Sequence, residues 1–268
     1  MKELERYLNP VLNWGKQLQK ITASRTVEVL TDTFAYPIYI EGIENLDATQ
    51  NLRMEGNKIL IFSNHLSWAD PLVTMEVIRR NGFEEMAEMT TIIAGVKLQT
   101  QIARKFLGQA YDLIPIWSPF TEPKNQEEKD MRFQMYKDAL RDGKQKLESG
   151  RLVLTYPETT RSRTQQLTIG QPGMTHYLNL VENTFVLPIG IYGTEKILPV
   201  GASLPDFHEA NVIFGEPIEA DEVVKMYKHI QNRQERKQLI MDYFMYRIAE
   251  CLPESYHGVY AKEYAKAA

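Results

Sequence analysis

The stretch KILIFSNHLSWADPLVTMEVIRRNG, residues 58–82, contains the order of strand, turn and helix that decides the fold. Residues 58–63 form a short apolar run that is typical of a strand. Residues 70–82 predict a helix, because Asp70 can cap it and Pro71 suits its first position. A strand that leads through a turn into a helix is the building unit of α/β proteins.

Other short apolar runs predict further strands, and two longer segments predict helices. The predicted strands are residues 36–42, 90–95, 151–158, 184–193 and 210–218, and the predicted helices are residues 125–150 and 220–253. This order predicts an α/β fold with a mixed central sheet flanked by helices. Residues 1–35 show helical spacing of apolar side chains, so we expect an N-terminal helical segment that packs on the main domain, residues 36–268, or contacts a membrane.

The composition excludes several classes of protein. The chain has 268 residues and a formal net charge of −4, which gives no support for nucleic-acid binding. Its single cysteine, Cys251, excludes an intrachain disulfide. We find no run of 18 apolar residues and no apolar signal core, so the sequence predicts a cytoplasmic protein that contacts the inner membrane face only peripherally.

The turn between the predicted strand at residues 58–63 and the predicted helix at residues 70–82 holds a histidine, His65, five residues before Asp70. An aspartate that binds one imidazole nitrogen fixes the tautomer and supports the imidazolium that forms when the other nitrogen takes a proton. This pair is suited to act as a general base. The alternative is that His65 is a loop residue and Asp70 only a helix cap.

Two further segments follow predicted strands. Residues 154–166 contain Arg161 and Arg163 beside a turn, where two guanidinium groups can grip a phosphate, although a solvated basic loop would have the same residues. Residues 186–194 contain Pro188 and two glycines, so this strand is expected to be irregular or at an edge, with another chain or a ligand close to its backbone.

Together these segments resemble the glycerophospholipid acyltransferases, which include glycerol-3-phosphate and 1-acylglycerol-3-phosphate O-acyltransferases. The resemblance rests on three blocks in the same order. They are Asn-His-x₄-Asp at residues 64–70, Tyr-Pro-Glu-x-Thr-Arg-Ser-Arg at residues 156–163, and Leu-Pro-Ile-Gly-Ile-Tyr-Gly at residues 187–193. It covers about residues 36–220 and implies acyl transfer from a thioester, acyl-CoA or acyl carrier protein, to a glycerol hydroxyl.

The resemblance also implies roles for individual residues. His65 would deprotonate the hydroxyl and Asp70 would orient His65. The residues expected to bind the acceptor are Lys97, Glu158, Thr159, Arg161, Ser162 and Arg163, with Arg161 and Lys97 on its phosphate, and those on the acyl-donor side are Asn64 and Pro188. No metal and no cofactor besides the thioester co-substrate is implied.

Two departures from the family pattern leave the acceptor open. The family usually has glycine where Thr159 stands, and it has an arginine near the position of Trp117 and Ser118. Glycerol 3-phosphate, 1-acylglycerol 3-phosphate and a non-phosphorylated acceptor therefore remain possible. The rival functions are a thioester or phosphoester hydrolase and an inactive lipid-binding module.

Overall fold

A computed structural model of the chain describes residues 25–26, 28–29, 31–96, 110–118, 120–202 and 204–261. Its strands are β1 (Ala35–Glu41), β2 (Lys58–Ser63), β3 (Thr90–Gly95), β4 (Asp112–Ile116), β5 (Leu152–Thr155), β6 (Thr184–Tyr192), β7 (His208–Phe214) and β8 (Ile218–Glu219). Its helices are α1 (Ile43–Met54), α2 (Asp70–Arg80), α3 (Glu84–Glu88), α4 (Gln126–Glu148), α5 (Thr175–Leu178), α6 (Thr194–Ile197), α7 (Ala220–Met226) and α8 (Arg233–Ala249). Three single turns of 3₁₀ helix occupy Pro172–Met174, Glu254–Tyr256 and Gly258–Tyr260.

The strands form one mixed sheet in the order β1-β7-β6-β2-β5-β3-β4, with β8 paired to β6. Strands β2, β3, β4, β5 and β6 run parallel to one another, whereas β7 is antiparallel to β6 and β1 is parallel to β7. This architecture confirms the predicted α/β fold with a mixed sheet. The carboxyl ends of the five parallel strands meet at one edge, where α/β proteins place their sites.

Strand β2 lies at the centre of the sheet and carries side chains into two cores. Ile59 and Ile61 pack in the layer that contains the apolar face of α2, while Leu60 and Phe62 pack in the layer that contains α4 and α8. Both faces of a central strand are buried, so its residues read as a continuous apolar run. Each fully buried side chain of this size contributes about 1.5–3 kcal/mol to folding.

Several elements differ from their sequence prediction. The predicted helix over residues 220–253 is two helices, because residues 227–232 break it and the Asn232 side chain caps α8 by accepting from the backbone N–H of Gln234. Strand β4 was not predicted because it contains Pro115. This proline is tolerated because β4 ends the strand order. Helix α1 was also missed, since few of its residues are apolar and only Leu46 and Thr49 are buried.

The edge position that the sequence allowed for strand β6 was wrong, because β6 lies between β7 and β2 in the sheet. Its neighbour on one side changes from β8 to β7 around Pro188, which lies between the residues that pair with each. At Gly190 the backbone of Cys251 of the same chain approaches closely. The prediction for the N-terminal segment falls mostly on residues 1–24, which lie outside the described residues.

Candidate active site

The His65 imidazole is held by Asp70 in the turn between β2 and α2. His65 Nδ1 lies 2.7 Å from Asp70 Oδ2, and the Asp70 carboxylate is fully buried. Among the described residues Nε2 of His65 has no hydrogen-bond partner. The bond at Nδ1 fixes the tautomer in which Nε2 carries the lone pair that can accept a proton.

Asp70 does not cap helix α2, although the sequence predicted that it could. The cap position is Ala69 and no side chain bonds there. The Asp70 carboxylate turns back, and Oδ2 accepts hydrogen bonds from the backbone N–H groups of Leu66 and Ser67 at 2.7 and 2.9 Å. Its second oxygen, Oδ1, accepts from the Thr194 hydroxyl at 2.5 Å. These bonds hold the carboxylate where it can orient the imidazole.

Asn64 joins the same turn to strand β6. Its side-chain amide donates to the carbonyl of Ile191 at 2.7 Å and accepts from the N–H of Ile191 at 2.8 Å. Through these two hydrogen bonds the Asn64 side chain takes the place of a backbone peptide group in the pairing of β2 with β6. Neither Asn64 nor Pro188 lines the cavity described below. Their placement on the acyl-donor side stays a prediction.

Glu158 connects the two sequence blocks. Oε1 accepts from the backbone N–H of His65 at 2.9 Å, and Oε2 accepts from the N–H and the hydroxyl of Thr168 at 2.9 and 2.8 Å. Burial raises the pKa of the Glu158 carboxyl, and the hydrogen bonds from Thr168 and His65 oppose that rise. With both oxygens bonded inside the protein, Glu158 supports the turn that carries His65.

The arginine block lies against the histidine turn. The N–H of Ser162 donates to the carbonyl of His65 at 2.8 Å, and Ser162 is buried. The guanidinium of Arg161 lies over the Trp68 ring, with 4.6 Å from Cζ to the ring centroid. Arg163 is exposed. The structure therefore brings Arg161 and Ser162 to the turn that carries His65, while Lys97 lies outside the described residues.

Thr159 adopts a backbone conformation that favours glycine. Its φ angle is 57°, in the left-handed region, where a β-branched residue is an outlier. Its N–H donates to the carbonyl of Tyr156 at 2.8 Å, and among the described residues its hydroxyl has no hydrogen-bond partner. The position that the family usually fills with glycine is therefore strained in this chain.

A cavity of about 310 Å³ opens beside His65. Its wall is mostly apolar and aromatic. The lining includes His65, Trp68, Ile92, Ile93, Ala94, Ile116, Trp117, Ser118, Tyr136, Tyr156, Thr159 and Met174. An apolar cavity with a few polar groups at one end is the usual form of a small-molecule site.

The outer wall of the cavity is held by two polar contacts. Tyr136 Oη bonds to His176 Nδ1, and His176 Nε2 lies 2.5 Å from Lys237 Nζ. Burial and the neighbouring charge of Lys237 lower the pKa of His176, so the imidazole is neutral near pH 7.

The guanidinium of Arg132 lies over the Trp117 ring, 4.3 Å from its centroid. The same guanidinium donates hydrogen bonds to Glu128 and to the backbone of the loop that precedes α4.

Among the described residues, one group of carboxylates is close enough together to hold a metal ion. The oxygens of Glu28, Asp32 and Glu76 lie within 4.8 Å of one another. Arg79 forms ion pairs with Glu28 and Glu76, and Arg80 forms ion pairs with Asp32 and Glu76. The arginines therefore balance the negative charge that would attract a cation.

Comparison with known proteins agrees with this geometry. The sequence model of the acyltransferase family matches residues 37–192, which is more than half of the chain. The chain belongs to the acyltransferase family. It is an O-acyltransferase, and its His65–Asp70 pair lies within the matched residues.

The fold of this acyltransferase is similar to a solved structure. The crystal structure of the 1-acyl-sn-glycerophosphate (LPA) acyltransferase PlsC from Thermotoga maritima superposes with a TM-score of 0.50 at 16% sequence identity. The similarity covers 88% of this acyltransferase and 78% of that chain, and at this identity it shows the fold alone. A search of curated proteins found no significant match to the chain.

Four residues of the site were not predicted from the sequence. Thr194 and Thr168 bind Asp70 and Glu158, while Tyr156 and Trp68 contact His65 and Arg161 through their rings. Trp68 and Tyr156 lie inside the quoted blocks and Thr194 directly follows one, so their positions were available as a signal. Their contacts were not, because each joins residues that only the folded sheet brings together. Thr168 lies outside the blocks, in the loop that also carries Glu158.

Proposed function

We propose that this acyltransferase moves a fatty acyl group from an acyl thioester to a hydroxyl of glycerol 3-phosphate or 1-acylglycerol 3-phosphate. The observation that carries the proposal is the 2.7 Å bond between His65 and Asp70 on the wall of an apolar cavity. In this mechanism Nε2 of His65 takes the hydroxyl proton while the oxygen attacks the thioester carbonyl. The C–S bond then breaks, and the thiolate leaves with the proton that His65 holds.

The cavity is proposed to receive the acyl chain. Ile92, Ile93, Ile116 and Met174 supply an apolar wall, and burial of methylene groups against it favours a long hydrocarbon chain. Arg161 is proposed to bind the acceptor phosphate, because an arginine can contact phosphate oxygens bidentately and the Arg161 side chain lies over Trp68, which lines the cavity.

A lipid surface is proposed to lie against the edge of the sheet where β2 ends. Strands β1 and β7 run opposite to β2, so their first residues lie at that edge. Tyr36, Leu204 and Phe207 are exposed there, and Leu198 accepts a hydrogen bond from Ser67 of the histidine turn. Among the described residues, no helix combines the length and the apolar character needed to cross a membrane. A peripheral contact on the inner membrane face is therefore the form that we propose.

An acceptor screen tests the proposal. Glycerol 3-phosphate, 1-acylglycerol 3-phosphate and a neutral lysolipid are each incubated with acyl-CoA and with acyl carrier protein, and ester formation and thiol release are measured separately. We expect ester formation with a phosphorylated acceptor, and His65→Ala is expected to lower its rate by roughly 10²–10⁴-fold. Thiol release at the same rate without any acceptor would show a thioester hydrolase instead.

A further inference from the structure

The Tyr156 ring stacks on the imidazole of His65. The two ring centroids are 4.1 Å apart and the planes differ by 18°. Tyr156 follows directly after β5, and its side chain is buried. The contact therefore joins the first residue of the second sequence block to the histidine of the first block.

The contact places a neutral aromatic face against a group that becomes charged during the reaction. Burial raises the pKa of the Tyr156 phenol well above its ordinary value, so the ring stays uncharged at working pH. Asp70 holds one edge of the imidazole and Tyr156 covers one of its faces. A cation within about 6 Å of an aromatic centroid is attracted by the negative face of the ring.

We propose that Tyr156 is a positioning residue for acyl transfer, which holds the His65 ring in its productive orientation and stabilises the imidazolium that forms as the hydroxyl proton is taken. The inference rests on the proposed role of His65 as the base. The stabilisation exists only while His65 is charged, so it lowers the barrier without tightening substrate binding. Tyr156 therefore acts through His65 on kcat, and loss of its ring should change kcat more than KM.

The hydroxyl of Tyr156 is not part of this role. Among the described residues it has no hydrogen-bond partner, although it is buried. Tyr156→Phe removes only the hydroxyl, whereas Tyr156→Leu removes both the hydroxyl and the ring. The difference in kcat between these two variants therefore measures the effect of the aromatic ring alone.

The test compares kcat and KM of the two variants under the conditions of the acceptor screen. We expect kcat of Tyr156→Leu to be roughly 3- to 30-fold lower than kcat of Tyr156→Phe, with a smaller difference between the two variants in KM. Should the leucine variant fail to fold, Tyr156→Met fills the same space without an aromatic ring. Equal kcat in the phenylalanine and leucine variants would overturn the proposal.

Tyr177 provides the matched control. It is also fully buried, and within the described chain its hydroxyl likewise has no partner, but it packs against Gly143 of α4 rather than against His65. Tyr177→Leu is expected to lower the melting temperature and to leave kcat near that of Tyr177→Phe. A loss of kcat in Tyr177→Leu as large as in Tyr156→Leu would mean that the effect is general destabilisation, and would overturn the proposal.

A second readout needs no turnover. The ring current of Tyr156 should move the NMR signals of the His65 imidazole protons upfield in the wild type and in Tyr156→Phe, and this displacement should be absent in Tyr156→Leu. If the wild type shows this displacement but no acyl transfer in the acceptor screen, the proposed substrates are contradicted, while the contact between the Tyr156 and His65 rings is confirmed. Absence of the displacement in the wild type would overturn the stack itself.

Discussion

The backbone carbonyl of His65 accepts a hydrogen bond from the N–H of Ser162 at 2.8 Å, and the N–H of His65 donates to Glu158 at 2.9 Å. The N–H and the carbonyl of His65 thus bind two residues of the second sequence block. This arrangement fixes the position of His65 relative to Arg161, which lies between those two residues.

Asp70→Asn is expected to lower kcat and also to lower the melting temperature. With its nitrogen at the Oδ2 position the amide would face three donors, namely His65 Nδ1 and the N–H groups of Leu66 and Ser67. With its nitrogen at the Oδ1 position it would face the Thr194 hydroxyl, which would have to turn and accept. Each buried donor left without an acceptor costs about 1–3 kcal/mol. Asp138→Asn, on the outer part of α4, is the control for the chemical change. An Asp70→Asn protein with wild-type stability and turnover would contradict the assigned contacts.

Arg161→Ala is expected to raise KM for a phosphorylated acceptor by roughly 10- to 100-fold, because a charge-assisted hydrogen bond contributes about 1.5–3 kcal/mol. KM for the acyl donor should change little. Arg141→Ala is the control, since Arg141 is exposed on α4 and pairs with Asp138. Steady-state kinetics with each substrate varied in turn measures both constants. A similar rise for donor and acceptor would indicate damage to the site as a whole.

Thr159→Gly is expected to keep or raise the melting temperature, because glycine adopts a φ of 57° without strain. The neighbouring exposed Thr160 has no positive φ, so Thr160→Gly should lower the melting temperature. Removal of the side chain from the cavity wall is also expected to widen the range of acceptors toward the bulkier lysolipid. An unchanged acceptor profile would show that Thr159 does not select the acceptor.

Glu158→Gln is expected to lower both stability and kcat, because its amide nitrogen would face the N–H of either His65 or Thr168. Folding raises the pKa of this carboxyl above its ordinary 4.5. The stability linked to that shift is therefore complete below pH 4.5 and is lost as the pH rises through the folded-state pKa. The difference in melting temperature between the wild type and Glu158→Gln should become smaller as the pH rises through the folded-state pKa. A difference that becomes larger over this pH range would contradict the direction of the pKa shift.

Leu204→Ser combined with Phe207→Ser is expected to reduce sedimentation with liposomes, because both apolar side chains lie exposed at the edge where β2 ends. Met54→Ser is the control, since Met54 is equally exposed but precedes β2. Deletion of residues 1–21 tests the separate prediction that the N-terminal segment contacts the membrane. Unchanged sedimentation of the double variant would exclude this edge as the lipid contact.

The central part of the fold could be predicted because its signals are local. The apolar run of β2 and the Pro71 start of the following helix each act over a few residues, and both elements were found. The pairing of His65 with Asp70 was also predictable, since one turn separates them. Strand β4 was not, because its edge position makes Pro115 acceptable and no local pattern shows which strand is at an edge.

The sequence by itself determined the α/β class, the blocks of the site and the closeness of His65 to Asp70, on which their proposed roles rest. Only the tertiary structure decided what supports them. Asp70 binds Thr194 and not the helix end, Glu158 is bonded at both oxygens inside the protein, and Tyr156 stacks on His65. The physical reason is that these contacts join strands β2, β5 and β6, and such neighbours are set by sheet pairing between residues that are remote in the chain.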